Sequence, residues 1–377
     1  MEVFQNMEAI SSFDKVAADQ ERERVATVQL FFSTFLFGIS FIGQKIAMTQ
    51  GIGPITYTAC RFLVSTILLA LSQPLVRYYF HMEVEVEIKA GDTGRTQIIP
   101  EVIKWGGMCG LASFGGSNLQ QIGLGTVSAG KAAFITGMYV IFVPIVELLL
   151  PGFGLHLNWK IWVSASVSLL GMFFLSGAQL SLDFSSSAAF LTGETIVFIS
   201  MLFWVLAIIS ADVGTKRGVD GVSFTLVEFS VSTILSITLA LTFEPQSFIY
   251  PYKAIFNSWQ MIALVGVTEG ISFLFATLGQ MYTAPSKAAL IFSLESVAAA
   301  VGAYFFLGEI LSYTELFGCF LMLSAAVLCS YDSETSEEGA KLNIHDVERH
   351  DQEMVTVVTS RTPLKKINDP FNYTASS

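Results

Sequence analysis

Val64-Ser65-Thr66-Ile67-Leu68, inside one long apolar stretch, returns letter for letter as Val231-Ser232-Thr233-Ile234-Leu235 inside another. Lys131-Ala132-Ala133 with Ile135 returns in the same way as Lys287-Ala288-Ala289 with Ile291. The chain is therefore a duplication, and each copy must reach the same fold. A bilayer core about 30 Å thick is crossed by roughly 20 apolar residues of helix. Measured by that length, spans are predicted near 25–48, 54–79, 101–123, 127–150 and 157–179. The second set falls near 193–213, 221–242, 258–281, 285–307 and 311–331.

Five is an odd number, so two tandem five-helix units enter the membrane from opposite sides. The expected fold is an all-α polytopic membrane protein of ten transmembrane helices, arranged as two inverted five-helix repeats. Composition agrees. Apolar residues make up 53% of the chain, charged residues 14%, and the mean hydropathy is +0.60, whereas a soluble domain carries about 25% charged residues. The acids that give the net charge of −11 are concentrated in the first 24 residues, the segment from His81 to Glu101 and the tail after Tyr331.

The positive-inside rule orients the spans. With the N-terminus in the cytoplasm, nearly every Lys and Arg outside the spans falls on the inner side, and the outer loops keep only Lys253. Both termini are therefore expected in the cytoplasm. No basic leader is visible, and the plasma membrane is expected ahead of an organelle membrane. The tail at 332–377 is polar and is expected to be disordered. The stretch Glu83-Val84-Glu85-Val86-Glu87 alternates like a short strand.

The motifs resemble the EamA-type branch of the drug/metabolite transporter superfamily. The first half carries Phe37-Gly38-Ile39-Ser40-Phe41 with Lys45, Pro54 with Arg61-Phe62, and Ser128-Ala129-Gly130-Lys131-Ala132-Ala133-Phe134. The second half carries Gly279-Gln280, Ala284-Pro285-Ser286-Lys287-Ala288-Ala289, Ser293-Leu294-Glu295 and Leu307-Gly308-Glu309. The resemblance covers about residues 27–331, and the chain is expected to divide into a cytoplasmic N-terminal tail at 1–24 and EamA-like repeats at 25–179 and 193–331. A loop at 180–192 joins the repeats, and the C-terminal tail follows at 332–377. The resemblance implies a carrier of small organic solutes, working by exchange or driven by protons. The family often has proline directly after the glutamate of the ninth helix; here that position is Ser296, so the helix is expected to run straighter there.

Charges within spans cost about 2.5–3.5 kcal/mol on insertion scales and usually face the bundle interior. Arg61 and Glu228 are repeat mates, within the parallel trios Thr58, Arg61, Ser65 and Thr225, Glu228, Ser232. Two readings stand side by side: Arg61 and Glu228 hold the charged groups of a solute, or they lock helices through ion pairs. Glu269 on the eighth span and Glu295 on the ninth, whose repeat mate is Tyr139, are candidates for solute or proton binding. Lys131 and Lys287 either reach the near membrane surface or act as a solute or gating pair. Gln44 and Trp204 lie on the polar and aromatic stripes of the first and sixth spans, and Trp204 either stacks on a solute or packs. Lys45 and Asp212, also mates, are read as interfacial; Glu147, Glu194, Glu244 and Glu309 are read as solvated.

The expected function is a secondary transporter of amino-acid-like or drug-like metabolites by alternating access. A sugar-phosphate or nucleotide-sugar exchanger is the alternative, though it calls for more core cations than Arg61, Lys131 and Lys287. A non-transporting receptor or scaffold is the alternative from another class. Enzymatic activity is not expected: all four histidines lie outside the spans, and no P-loop spacing occurs. The four cysteines read as packing residues, so no metal or cofactor is expected. The expected partners are a small-molecule solute and the lipid bilayer; a homodimer is left open, and no nucleic acid is expected.

Overall fold

The computed structural model describes residues 2–79, 94–127, 129–150, 159–176, 193–246, 251–308 and 310–329. The stretch at 83–87, Glu309, the loop at 180–192 and the tail at 332–377 lie outside the described residues. In the first half the helices are α1 Glu2–Thr49, α2 Pro54–Tyr79, α3 Gly94–Leu124, α4 Ala129–Gly137, α5 Tyr139–Leu149 and α6 Trp159–Leu175. In the second they are α7 Gly193–Lys216, α8 Gly221–Phe243, α9 Pro251–Gln280, α10 Pro285–Ser293, α11 Glu295–Leu307 and α12 Tyr313–Cys329. Among the described residues seven helical segments are long and apolar enough to cross a bilayer. The shorter apolar α6 and α12, and the glycine- and amide-rich α3, complete the ten spans.

Two boundaries differ from expectation. The α1 helix continues back to Glu2, through the segment read as a tail, and α3 begins at Gly94 with Pro100 inside it. Both extensions are polar, so they lengthen helices without lengthening the apolar spans.

The fourth and ninth spans are each broken at mid-length, at Met138 and at Leu294. At both points the ladder tightens into an i−3 turn: Met138 N–H bonds to Ile135 O at 3.3 Å and Leu294 N–H to Ile291 O at 3.0 Å. Such short 3₁₀ segments inside a helix often mark hinges. No proline stands within one turn of either break. The ninth span is thus interrupted even with Ser296 in place of proline, contrary to the straighter helix expected.

The duplication is visible in atomic contacts. Thr66 and Thr233, 167 positions apart, share a hydrogen bond between their own hydroxyls at 2.8 Å. Phe62 and Phe229, separated by the same offset, meet edge to face at 5.3 Å. Residues that touch their own repeat mates lie on a pseudo-twofold axis. The two helices are antiparallel, because Glu244 at the end of α8 accepts from the backbone N–H groups of Ile55 and Thr56 at the start of α2, at 3.2 and 2.8 Å. Glu244 therefore caps α2 rather than standing free in solvent. The halves are inverted, as an odd helix count requires.

They also interlace. Helix α3 packs on α7 and α8, while its mate α9 packs on α1 and α2. The Ser232 hydroxyl donates to Gly110 O at 2.9 Å, and its mate Ser65 donates to Gly266 O at 2.6 Å. Gly110 and Gly266 are thereby equated, in the register that relates Lys131 to Lys287. A Cβ on Gly110 would lie 2.6 Å from Glu228 O, and one on Gly266 would lie 2.7 Å from Val64 Cβ. Lipid is as apolar as leucine, so helices in a bilayer associate through such close approach and through interhelical hydrogen bonds averaging about 0.6 kcal/mol. Leu71, Leu206, Ile234 and Phe305 point outward, as expected of a lipid-facing surface.

Candidate functional site

The interlaced helices frame a partly open cavity, with about 820 Å³ of atom-free space that includes part of the surrounding solvent. Its walls come from α1, α2, α3, α4, α5, α7, α8, α9, α10 and α11. The lining consists largely of repeat mates. Phe37 and Trp204, Phe41 and Ile208, Gln44 and Ala211, and Arg61 and Glu228 are paired by the α2/α8 register. Ser117 and Phe273, Gln120 and Ala276, Thr136 and Phe292, and Tyr139 and Glu295 are paired by the register of the two lysines. The cavity therefore straddles the pseudo-twofold axis.

Among the described residues four charged side chains reach it: Arg61, Glu228, Glu269 and Glu295. Arg61 sits on α2 with its guanidinium bonded to the Glu269 carboxylate of α9. Both are buried, at 3% and 4% exposure, so this is an ion pair withdrawn from water. Gln44 Nε2 approaches the same carboxylate oxygen at 3.4 Å. The Arg61 guanidinium also stands 5.8 Å from the Tyr57 ring centroid and 5.3 Å from that of Phe62, within cation–π range. Of the two sequence readings of Arg61, the structure contains the ion pair, with Glu269 as the partner.

Glu228, the mate of Arg61, accepts a hydrogen bond from the Ser113 hydroxyl of α3 at 2.6 Å. Ser113 is itself the mate of Glu269 in the α3/α9 register. The two contacts are thus equivalent in position, ionic in one half and hydroxyl to carboxyl in the other.

Tyr139 and Glu295 are the first residues after the two helix breaks. The Tyr139 hydroxyl is buried without a hydrogen-bond partner, and Tyr139 and Glu295 line the same cavity. Trp204 donates from Nε1 to Gln120 Oε1 at 3.1 Å and tilts over Phe273 at 6.0 Å between centroids. Phe273 also meets Phe37 and Phe229 edge to face, each at 5.0 Å.

Of the residues singled out from sequence, Arg61, Glu228, Glu269, Glu295, Tyr139, Gln44 and Trp204 therefore line one cavity. Lys287 does not. Its Nζ bonds to Glu23 Oε1 at 2.8 Å, and the neighbouring Ser286 hydroxyl donates to the Glu147 carboxylate. Glu147 is thus engaged between helices rather than solvated. The backbone of Lys131 lies in α4, but its side chain is outside the described residues. Asp212, read as interfacial, is fully buried with Lys216 Nζ at 2.7 Å, while its mate Lys45 is exposed. Phe273 escaped the sequence reading, although it lies one helical turn from Glu269 on the same face. Among the described residues no cluster of His, Cys, Asp or Glu could hold a metal ion, and none of the four cysteines is in a disulfide.

Comparison with known proteins agrees with this architecture. The model of the EamA-like transporter family matches residues 25–177 and 191–331. An uncharacterized transporter of Archaeoglobus fulgidus is 27% identical over 237 residues, which cover 59% of this chain and 67% of that protein. A solved crystal structure superposes with a TM-score of 0.59 at 17% identity, covering 83% of this chain and 98% of its own; at that identity it speaks for the fold alone. Two matched repeats, inverted about one cavity, place this chain in the EamA-like transporter family, a branch of the drug/metabolite transporter superfamily.

Proposed function

We propose that the protein is a secondary carrier that passes one small organic solute at a time through the central cavity by alternating access. One observation carries the reading: the cavity lies on the pseudo-twofold axis and is lined by mates from both halves. Inverted repeats give a bundle two nearly equivalent arrangements around a fixed site, each open to one side of the membrane. A static pore has no need of that equivalence. The helix breaks at Met138 and Leu294 supply matching points at which the two arrangements can interchange.

The solute is amino-acid-like or drug-like, with an ionisable group and an apolar body to meet the carboxyls and the aromatic wall. The sugar-phosphate alternative finds less support, because the one cation lining the cavity among the described residues is Arg61, which is already bound to Glu269. The distribution of Lys and Arg supports cytoplasmic termini, and the plasma membrane is the proposed site.

Reconstitution into proteoliposomes tests the reading. Uptake of a metabolite panel is measured with and without unlabelled solute inside, and with and without a pH gradient. A carrier gives saturable uptake that internal solute accelerates. Flux that neither saturates nor responds to internal solute would exclude alternating access.

A further inference from the structure

We infer that the cavity selects organic cations. The preferred solute carries a protonated amine on an apolar or aromatic body and lacks a carboxylate of its own. Its ammonium group is held at Glu295 beside the Tyr139 hydroxyl, and its body lies against Trp204, Phe37 and Phe273. This narrows the carrier reading and rests on it.

The argument begins with the charges on the cavity wall. Arg61 and Glu269 neutralise each other in a buried ion pair, and the Gln44 amide approaches the same carboxylate. Two carboxyls remain, Glu228 and Glu295. Glu228 receives the Ser113 hydroxyl, which satisfies one oxygen and brings no positive charge. Among the described residues neither glutamate pairs with a lysine or arginine. An ionised carboxylate away from water is costly unless a counter-charge accompanies it. Glu228 is 2% exposed and Glu295 half-buried, so a proton or a cation entering the cavity would stabilise either carboxylate.

Two further observations indicate where an organic cation would bind. The Tyr139 hydroxyl is buried and has no hydrogen-bond partner, and Tyr139 lines the same cavity as Glu295. It can accept from an ammonium N–H while the carboxylate takes the charge. Phe37, Trp204 and Phe273 form a contiguous aromatic wall, and ring faces attract cations as well as apolar bodies. An anionic solute would find the lone guanidinium engaged. A zwitterion would add a third unpaired carboxylate to the two already present.

A series with one ring and three charge states isolates this selection: 2-phenylethylamine, phenylalanine and phenylacetate. Each is titrated by calorimetry into the full-length protein in lipid nanodiscs. The amine is expected to bind at least about tenfold more tightly than phenylalanine, the size of one charge-assisted contact, and phenylacetate is expected not to saturate. Glu295→Gln should weaken amine binding by about tenfold. If that variant does not fold, the charge series on the unaltered protein decides alone. Phenylalanine binding as tightly as the amine, or no saturable binding of the amine, overturns the inference; so does a folded Glu295→Gln protein with undiminished amine affinity. Uptake in proteoliposomes separates the two levels: carrier kinetics with a zwitterion preferred sinks only the cation selection. Tight amine binding without saturable uptake sinks the carrier reading instead.

Discussion

Breaking the Arg61–Glu269 pair from one side should cost far more than removing both partners. Arg61 is 3% exposed and Glu269 4%, so either charge left alone stays where water solvates it poorly. Deleting one member of a buried pair typically costs about 3–5 kcal/mol, whereas replacing both with well-packed neutral residues is often neutral or stabilising. The Tyr57 and Phe62 rings, 5.8 and 5.3 Å from the guanidinium, flank Arg61 with or without its partner and so do not offset the loss. The expected loss for Glu269→Gln is therefore about 3–5 kcal/mol. Arg61→Met should cost less, since an abandoned carboxylate can take up a proton and an abandoned guanidinium cannot release one near neutral pH. The double variant should fall within about 1 kcal/mol of the starting protein. Equilibrium unfolding by dodecyl sulfate in mixed micelles, followed by tryptophan fluorescence, gives all three values and hence the coupling energy of the cycle. Additive losses, or a Glu269→Gln cost below about 1 kcal/mol, would show that the two charges are solvated and that the ion pair does not hold α2 to α9.

The close approach of α3 to α8 predicts that Gly110→Ala loses about 1–3 kcal/mol by overpacking, since its Cβ would lie 2.6 Å from Glu228 O. Gly107→Ala, with nothing within 4 Å, should be neutral or slightly stabilising; equal melting shifts for both in detergent would contradict the packing. Thr66→Cys with Thr233→Cys, in a background lacking Cys60, Cys109, Cys319 and Cys329, should form a disulfide on mild oxidation, because the native hydroxyls are 2.8 Å apart. Retention of two free thiols would displace the pseudo-twofold axis from this point. Glu244→Gln keeps the shape of the α2 cap but removes its charge, and should lower thermal stability by about 0.5–2 kcal/mol; an unchanged melting curve would mean that the cap contributes nothing.

The sequence exposed most of the fold because membrane insertion writes it locally: each span must be apolar along its own length, and each copy keeps the pattern. The cavity was half legible for the same reason. A charge inside a span is rare enough to stand out alone, which is how Arg61, Glu228, Glu269 and Glu295 were found. Their pairing was hidden, because it depends on which helices touch. The repeat mate of Glu269 is Ser113, so nothing in the duplication marks Glu269 as the partner of an arginine in the other half. Lys287 was obscure for a related reason: its partner Glu23 lies in a segment that polarity alone marks as a tail, and only the continuous α1 carries it to the ninth span. The burial of Asp212 was hidden too, because distance from a helix end does not say which side chains pack around a residue. Phe273 is different, since its signal was available: α9 carries Glu269, Phe273, Ala276, Thr277 and Gln280 at spacings of three and four, and all of them line the cavity.

Position and chemistry have followed different rules in the two copies. The mates that line the cavity are kept in place: Arg61 opposite Glu228, Tyr139 opposite Glu295, Gln120 opposite Ala276, Ser117 opposite Phe273. In each of these pairs the side chains differ in charge or polarity. Geometry is what an exchange between two arrangements of one bundle requires, because each half must be able to take the shape of the other. Identity is not required, and a chemically symmetric cavity would present a bound molecule with two equivalent orientations. Here the ionic contact lies on one side of the axis and the hydroxyl-to-carboxyl contact on the other. A solute with one charged end would therefore meet different partners in its two orientations. The duplication accounts for where the walls of the cavity stand, and the divergence between its copies accounts for their unlike chemistry.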